Sequence, residues 1–220
     1  MYTDTHIIIF AKAPLPGFAK TRLIPALGAS GAAELARRLF DHACEQAMAA
    51  QLGSVELCVT PDITDPCWQQ IEFPEGLTFS SQGEGDLGER MARATQRALD
   101  EHSSVLLMGT DCPALTTSVI VQAAEFLNYE EACLAPVSDG GYALLGLKRF
   151  HHSLFNEIRW STEQVAQTTR QRLAALNWSL AELDELHDID EADDLKFLPE
   201  AWLSGRKEDG EIHAVFKIGQ

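Results

Sequence analysis

Continuous apolar runs alternate with amphipathic segments along most of the chain. Residues 7–11 form a continuous β-branched run, which is typical of a strand buried on both faces. Further strands are predicted at residues 55–60, 104–108 and 132–136. A weaker strand is predicted at residues 77–80, and a further apolar run follows at residues 143–147. Apolar positions spaced three or four apart predict helices over residues 30–50, 88–101, 116–127 and 161–175. This alternation of strands and helices predicts an α/β fold with a largely parallel central sheet.

Polar pairs mark the predicted starts of two helices. Asp86 with Glu89, and Ser161 with Gln164, have the three-residue spacing of a capping box. Asp190 is predicted to cap a last helix over residues 191–198. The length of the chain fits a single domain, residues 1–220, in which residues 202–220 form an extension without an assignable pattern.

The loop after the first predicted strand carries three cations within eleven residues, Lys12, Lys20 and Arg22. Ligands of open α/β sheets bind beyond the carboxyl ends of the strands, and Lys and Arg are the side chains that hold phosphate oxygens. Pro14 stiffens the loop and Gly17 allows a close backbone approach. The loop has neither the Walker A nor the Rossmann glycine pattern. Phosphate binding is the favoured interpretation, and a solvated basic loop is the alternative.

The overall charge makes this cation cluster more informative. The 220-residue chain has a formal net charge of -16, which disfavours nucleic acid as a partner but allows a small phosphorylated ligand where local cations offset the field. Its five cysteines form no CxxC pair, which is typical of a reducing compartment. The first residues do not resemble a signal peptide, and no apolar run is long enough for a membrane span. A cytoplasmic protein is expected.

Aspartates near the ends of predicted strands are candidate metal ligands. Asp111 follows the fourth strand directly, where a carboxylate can hold Mg²⁺ or Mn²⁺; a turn or cap role is the alternative. Asp188 lies in an acidic stretch and is a candidate second ligand, with a solvated turn as its alternative.

A second group of candidates follows the strand at residues 132–136. Asp139 could bond sugar hydroxyls or act as a general base, and Gly140 and Gly141 would let a sugar or acceptor approach the backbone. A plain hairpin turn is the alternative, since Asp-Gly is a strong turn signal. Trp160 could stack on a sugar ring or belong to the core.

Five short phrases, in this order, carry a resemblance to a known family. They are Ala11-Lys12-Ala13-Pro14 with Pro16-Gly17 and Lys20-Thr21-Arg22, Gly109-Thr110-Asp111-Cys112-Pro113, Asp139-Gly140-Gly141-Tyr142, Trp160-Ser161-Thr162, and Asp188-Ile189-Asp190. As a set they resemble the bacterial glycosyltransferase-like family of the GT-A superfamily that is related to arsenosugar-biosynthesis glycosyltransferases. The chain is also similar, more distantly, to 2-phospho-L-lactate guanylyltransferase.

The resemblance implies a three-layer α/β/α sandwich that binds a nucleotide or nucleotide-sugar. It implies that Lys20 and Arg22 face the diphosphate and that Asp111 helps to hold Mg²⁺ or Mn²⁺. It also implies that the base lies near the first loop and the turn at Gln82 and Gly83. The nucleotide-binding positions expected on this basis are Ala11, Lys12, Pro14, Gly17, Lys20, Arg22, Gln82, Gly83, Thr110 and Asp111. Acceptor or sugar contacts are expected from Asp139, Gly140, Gly141, Tyr142 and Trp160.

Glycosyl transfer from a nucleotide-diphosphate sugar to a small acceptor is the expected reaction. In it Asp139 serves as base, while Lys20 and Arg22 stabilise the leaving diphosphate. Many GT-A glycosyltransferases carry Asp-x-Asp at the metal strand, but this chain has Gly109 at the first position. Nucleotidyl transfer, which joins an NTP to a phosphorylated small molecule, therefore remains an alternative. A nucleotide-binding module without turnover is the third possibility.

Overall fold

One mixed sheet runs through the part of the protein that the computed structural model describes, residues 4–69 and 71–203. Its strands are β1 (Thr5–Lys12), β2 (Val55–Thr60), β3 (Leu77–Ser81), β4 (Ser104–Met108), β5 (Ala132–Pro136), β6 (Tyr142–Leu147) and β7 (Leu180–Glu182). They are ordered β3-β2-β1-β4-β6-β5-β7 across the sheet. Neighbouring strands are parallel except for β6, which is antiparallel to both β4 and β5. The start of β6 therefore lies at the same edge of the sheet as the carboxyl end of β4.

Helices cover both faces of this sheet. They are α1 (Ile24–Ala49), α2 (Leu87–Leu99), α3 (Thr117–Phe126), α4 (Val165–Ala175) and the short α5 (Glu200–Leu203). Short 3₁₀ helices span Thr21–Leu23, Pro66–Trp68, His152–Leu154 and Ala192–Phe197. The predicted three-layer α/β/α architecture is confirmed.

The alternation of side chains along β1 shows how the layers are built. Ile7 and Ile9 point into a core shared with α1 and α3, whereas Ile8 points into a core shared with α2 and α4. All three side chains are fully buried, as expected for an interior strand covered on both faces. Each buried side chain of this size contributes roughly 1.5–3 kcal/mol to folding.

The local predictions had mixed outcomes. The capping box of Asp86 and Glu89 is present at the start of α2. The one predicted at Ser161 and Gln164 is wrong, because Ser161 adopts a left-handed φ of 60° and α4 begins only at Val165. In α1 the helical conformation is interrupted at Gly28, where φ is 72°.

The capping role predicted for Asp190 is also wrong. The capping residue of the Ala192–Phe197 helix is Glu191, which forms a box with Asp194. The Asp190 side chain instead accepts a hydrogen bond from Lys20. Trp202 and Leu203 belong to α5, and the remainder of the unassigned extension lies outside the described residues.

A buried ionic network joins α2 to the sheet near the amino end of β2. Glu56 is 3% exposed and accepts two hydrogen bonds of 2.7 Å from Arg97, one of 3.1 Å from His6 and another from Ser80. Burial alone would raise the pKa of Glu56, but these donors outweigh it and lower the pKa to about 2. The buried carboxylate therefore stays charged and holds α2 in register with the sheet.

No helix in the described residues is long and apolar enough to cross a membrane.

Candidate active site at the carboxyl edge of the sheet

Two neighbouring pockets open beside the carboxyl ends of β1 and β4. One is polar and lies between the basic loop and the residues after β4. The other is mostly apolar and lies above β4 and the start of β6, against α2 and α4. Phe10 of β1 lines both pockets, so the two are adjacent. This is the edge at which ligands of open α/β sheets bind.

Lys20 is the central charge of the polar pocket. Its ammonium nitrogen lies 2.7 Å from an oxygen of Asp111 and 2.7 Å from an oxygen of Asp190. Its side chain is only 7% exposed, although the two carboxylates are half-exposed. Burial disfavours the ammonium, but the two carboxylates outweigh this effect and raise the pKa of Lys20. Lys20 is thus a permanently charged group that joins the first loop to two aspartates.

The other two cations of the loop are more accessible. Lys12 is exposed and its ammonium sits 4.0 Å from the ring centre of Phe18. Arg22 lies 3.6 Å from Glu191, and both side chains are about two-thirds exposed. These weakly held cations can turn toward a phosphorylated ligand at little cost, because exposed ion pairs contribute little.

The predicted nucleotide-binding residues divide into two groups. Lys12, Lys20, Arg22, Thr110 and Asp111 come together as lining of the polar pocket. The other predicted positions do not line it: Ala11, Pro14, Gly17, Gln82 and Gly83.

Gln82 has a clear supporting role. Its amide donates to the carbonyl oxygens of Ala11 and Cys58, and the residue is 7% exposed. Arg93 in turn donates to the carbonyl oxygens of Gln82 and Glu84, which holds the glycine-rich loop against α2. The Gln82 side chain therefore ties β1 and β2 together at the site.

Asp188 and Asp190 reach the site through a backbone contact. The N–H of Ile189, between them, donates to the carbonyl of Asp111 at 2.9 Å. Partial burial, together with the negative charges of Asp139 and Asp190, raises the pKa of Asp188 to about 6. A bound cation would stabilise this edge, because its carboxylates repel one another.

The donor chemistry of this edge suits a hard cation, although it does not form a complete cage. Within residues 4–69 and 71–203, no group of three His, Cys, Asp or Glu side chains has the arrangement of a metal site. Mg²⁺ usually takes only one or two carboxylates and completes its shell with phosphate oxygens and water. Asp111 and Asp188 supply carboxylates of that kind.

Asp139 lies in the turn between β5 and β6, at the rim of the apolar pocket. Its carboxylate accepts a hydrogen bond of 2.7 Å from the N–H of Gly141, as in a tight turn. Gly140 has a φ of 88°, and a Cβ there would lie 2.1 Å from the backbone of Glu163. The absence of a side chain at Gly140 thus serves packing against the segment before α4, and Gly140 does not line the pocket.

Trp160 and Tyr142 form part of the apolar wall. The Trp160 indole nitrogen would lie 2.8 Å from a Cβ at Gly88, which shows how closely the ring packs on the start of α2. Both side chains belong to the partly buried fringe of the core formed with α2 and α4. Trp160 is therefore packed against the core and also lines the pocket, while its stacking on a sugar ring stays a prediction.

Sequence reasoning missed several residues that line the site, of which three bear on its chemistry. Asp190 pairs with Lys20, Phe10 separates the pockets, and Leu87 lines the apolar pocket while 40% exposed. Leu87 lies four residues before the buried Met91, on the same face of α2, so the helical pattern alone does not distinguish it from a core position.

These features define the class of the protein: it has the nucleotide-diphospho-sugar transferase fold, with a polar pocket at the carboxyl edge of β1 and β4. A solved structure of a protein from Desulfovibrio desulfuricans G20, provisionally named a nucleotide-diphospho-sugar transferase, is 30% identical. The similarity covers 90% of this chain and 87% of that protein, with a TM-score of 0.83. The chain belongs to the DUF2064 family, described as uncharacterized protein conserved in bacteria, whose model matches residues 43–162.

More distant structures share the fold alone. The 4-diphosphocytidyl-2C-methyl-D-erythritol synthase of Anaerococcus prevotii DSM 20548 is 9% identical, with a TM-score of 0.58 over 90% of this chain and 97% of its own. A CMP:2-keto-3-deoxy-manno-octonic acid synthetase, solved in complex with CTP, is 11% identical, with a TM-score of 0.56 over 89% and 97%. No curated protein matched the chain.

Proposed function

We propose that the protein is a glycosyltransferase that moves a sugar from a nucleotide-diphosphate sugar to a small acceptor. The observation that carries the proposal is the pair of adjacent pockets, one lined by Lys12, Lys20 and Arg22 and the other mostly apolar. The polar pocket suits a diphosphate, because its cations offset the protein's charge of -16. The name of the Desulfovibrio protein, which is 30% identical, is consistent with this class of donor.

The proposed reaction requires one bond to form and one to break at the sugar. The oxygen of an acceptor hydroxyl attacks the anomeric carbon, and the bond from that carbon to the phosphate oxygen breaks. Its electron pair leaves with the nucleoside diphosphate, whose new charge Lys20 and Arg22 stabilise. We assign the hydroxyl proton to Asp139, the one carboxylate among the described residues that line the apolar pocket.

We further propose that Asp111 and Asp188 hold a divalent cation, Mg²⁺ or Mn²⁺. When bound, such an ion supplies a Lewis acid that neutralises charge on the diphosphate. The two carboxylates and the phosphates would together provide the oxygen ligands that these ions require.

Nucleotidyl transfer is the second candidate, and a specific observation favours it. Gly109 stands where many GT-A glycosyltransferases carry a first aspartate, so Asp111 is the one carboxylate at the end of β4. Three cations in one pocket would also suit the longer phosphate chain of an NTP. In that reaction a phosphorylated acceptor attacks the α-phosphate and pyrophosphate leaves.

A thermal-shift panel of NTPs, NDPs and nucleotide sugars, each with and without Mn²⁺, tests the proposal. A ligand that binds the native state raises the melting temperature by mass action. Glycosyl transfer predicts a Mn²⁺-dependent shift with one nucleotide sugar and its NDP, and little shift with the matching NTP. A shift confined to an NTP would support nucleotidyl transfer instead, and no shift at all would favour the module without turnover.

Matched arginine variants locate the binding. Arg22→Ala should weaken NDP binding about tenfold, because a charge-assisted hydrogen bond to phosphate is lost. Arg149→Ala is the control, since Arg149 is 62% exposed, close to the 64% of Arg22, and lies outside both pockets. Equal affinities for the two variants would contradict the assignment of the polar pocket to the diphosphate.

A further inference from the structure

The apolar pocket lies between one face of the sheet and the helical layer that packs on that face. Phe10, Leu107 and Tyr142 come from the sheet, Leu87 and Met91 from α2, and Trp160 from the segment before α4. Its volume is about 200 Å³, below the roughly 300–1,000 Å³ of pockets for drug-sized ligands. The pocket is therefore suited to a small apolar body, such as a single ring or a short branched chain.

The charges of the two pockets are opposite. Among the described residues that line the apolar pocket there is no Lys, Arg or His, and Asp139 is the one charged side chain. The polar pocket next to it has three cations and two carboxylates, Asp111 and Asp190, so its cations are in excess. A phosphate group seated in the apolar pocket would lack a cation and would face the Asp139 carboxylate, which is unfavourable.

The position of the pocket connects it with the reaction proposed above. Phe10 lines both pockets, so a molecule in the apolar pocket lies next to whatever occupies the polar one. Asp139 at the rim can accept a hydrogen bond from a hydroxyl, but it repels a phosphate. The nucleophile of an acceptor bound here is accordingly expected to be an uncharged hydroxyl.

We propose that the acceptor is an uncharged alcohol or phenol with an apolar body, and that this body occupies the apolar pocket. This inference rests on the proposed glycosyl transfer and makes it more specific. It also separates the two candidate reactions, because nucleotidyl transfer requires a phosphorylated acceptor.

Benzyl alcohol and benzyl phosphate form a pair of probes that share the benzyl group and differ by the charged phosphoryl group. Their binding is measured by ligand-observed NMR on the whole protein, with saturating inorganic pyrophosphate to fill the polar pocket. The proposal predicts that benzyl alcohol binds with millimolar affinity, as befits so small a ligand, and that benzyl phosphate binds at least about tenfold more weakly. Equal or tighter binding of benzyl phosphate, or no binding of benzyl alcohol, would overturn it.

Leu87→Ser assigns the binding to this pocket. Leu87 is 40% exposed, so its replacement removes pocket wall with little effect on the core. Affinity for benzyl alcohol should fall about tenfold in this variant, because a buried apolar contact is lost. Tyr129→Ser is the control, since Tyr129 is 86% exposed and lines neither pocket. An unchanged affinity in Leu87→Ser would contradict the proposal.

The same titrations distinguish failure of this inference from failure of the proposed function. Pyrophosphate binding without benzyl alcohol binding would overturn the acceptor class and leave the diphosphate site intact. Benzyl alcohol binding that depends on Leu87, without binding of pyrophosphate or any nucleotide, would support the pocket and contradict the proposed transferase.

Discussion

Replacement of Lys20 by methionine removes one charge and keeps nearly the same side-chain length. Lys20 has a left-handed backbone with a φ of 49°, and methionine carries the same backbone cost. The substitution therefore isolates the effect of the ammonium group. In the variant, Asp111 and Asp190 face each other without the cation between them.

The size of the effect follows from the geometry. Each carboxylate oxygen lies 2.7 Å from the same nitrogen, so the two oxygens are at most twice that distance apart. At a separation of about 5 Å and an effective dielectric of about 20, two like charges repel by about 3 kcal/mol. The carboxylates are 52% and 40% exposed, so solvent screening reduces this to about 1–2 kcal/mol.

Urea unfolding at neutral pH and low salt measures the predicted loss of about 1–2 kcal/mol. For a chain of this length the melting temperature should fall by about 2–8 °C. Adding Asp190→Asn to Lys20→Met should restore most of the stability, because one of the two facing charges is then gone. Mg²⁺ should stabilise Lys20→Met more than the unaltered protein, since a divalent cation can take the place of the ammonium.

Two results would refute this reasoning. If Lys20→Met unfolds at the same urea concentration as the unaltered protein, the ammonium does not hold the carboxylates together. If the double variant is less stable than Lys20→Met, the repulsion between the carboxylates is not the cause of the loss.

Three further predictions concern the metal, the buried network and the hairpin turn. Asp111→Asn should abolish the Mn²⁺-dependent part of nucleotide binding in calorimetry; a full Mn²⁺ dependence in this variant would exclude Asp111 as a ligand. Glu56, with its pKa lowered to about 2, contributes about 3 kcal/mol to the free energy of unfolding above pH 4.5. This contribution is lost as the pH falls toward 2. In Glu56→Gln, the free energy of unfolding should therefore fall less steeply between pH 4.5 and pH 2 than in the unaltered protein. An equally steep fall would contradict the assignment of this pH dependence to Glu56. Gly140→Ala should cost about 2–4 kcal/mol in thermal unfolding, because its Cβ would clash with the backbone of Glu163. Gly109→Ala is the control and should cost less than about 1 kcal/mol, because a Cβ there meets nothing within 4 Å. Similar losses in the two variants would contradict the packing role of Gly140.

Much of the fold could be predicted from local pattern. The interior strands β1, β2, β4, β5 and β6 are mostly apolar, and their bounds agree with the prediction within two residues. The start of α2 was predictable because the capping box of Asp86 and Glu89 uses only neighbouring atoms. By contrast, β7 is three residues long and partly exposed at the sheet edge, so it has no apolar run to reveal it.

The pairing of the site residues is a property of the tertiary structure. Lys20 was predicted to face phosphate, but its two carboxylate partners come from after β4 and from a segment 170 residues along the chain. The antiparallel direction of β6 is expected from the short connection to β5 and from the Asp-Gly turn signal, but its insertion between β4 and β5 is not visible in the sequence. That direction decides whether Tyr142 or Leu147 lies at the ligand edge.

The reversal of β6 also bears on how such proteins can diversify. The basic loop follows β1, whereas Asp139 and Tyr142 belong to a hairpin whose two strands are neighbours in both sequence and space. The turn of a hairpin can be replaced without rerouting the chain, so it can change through descent or in the laboratory while the basic loop is inherited intact. If the two pockets bind donor and acceptor as proposed, related proteins would keep the same class of sugar donor. They would evolve specificity for new acceptors through changes in a few residues between β5 and β6.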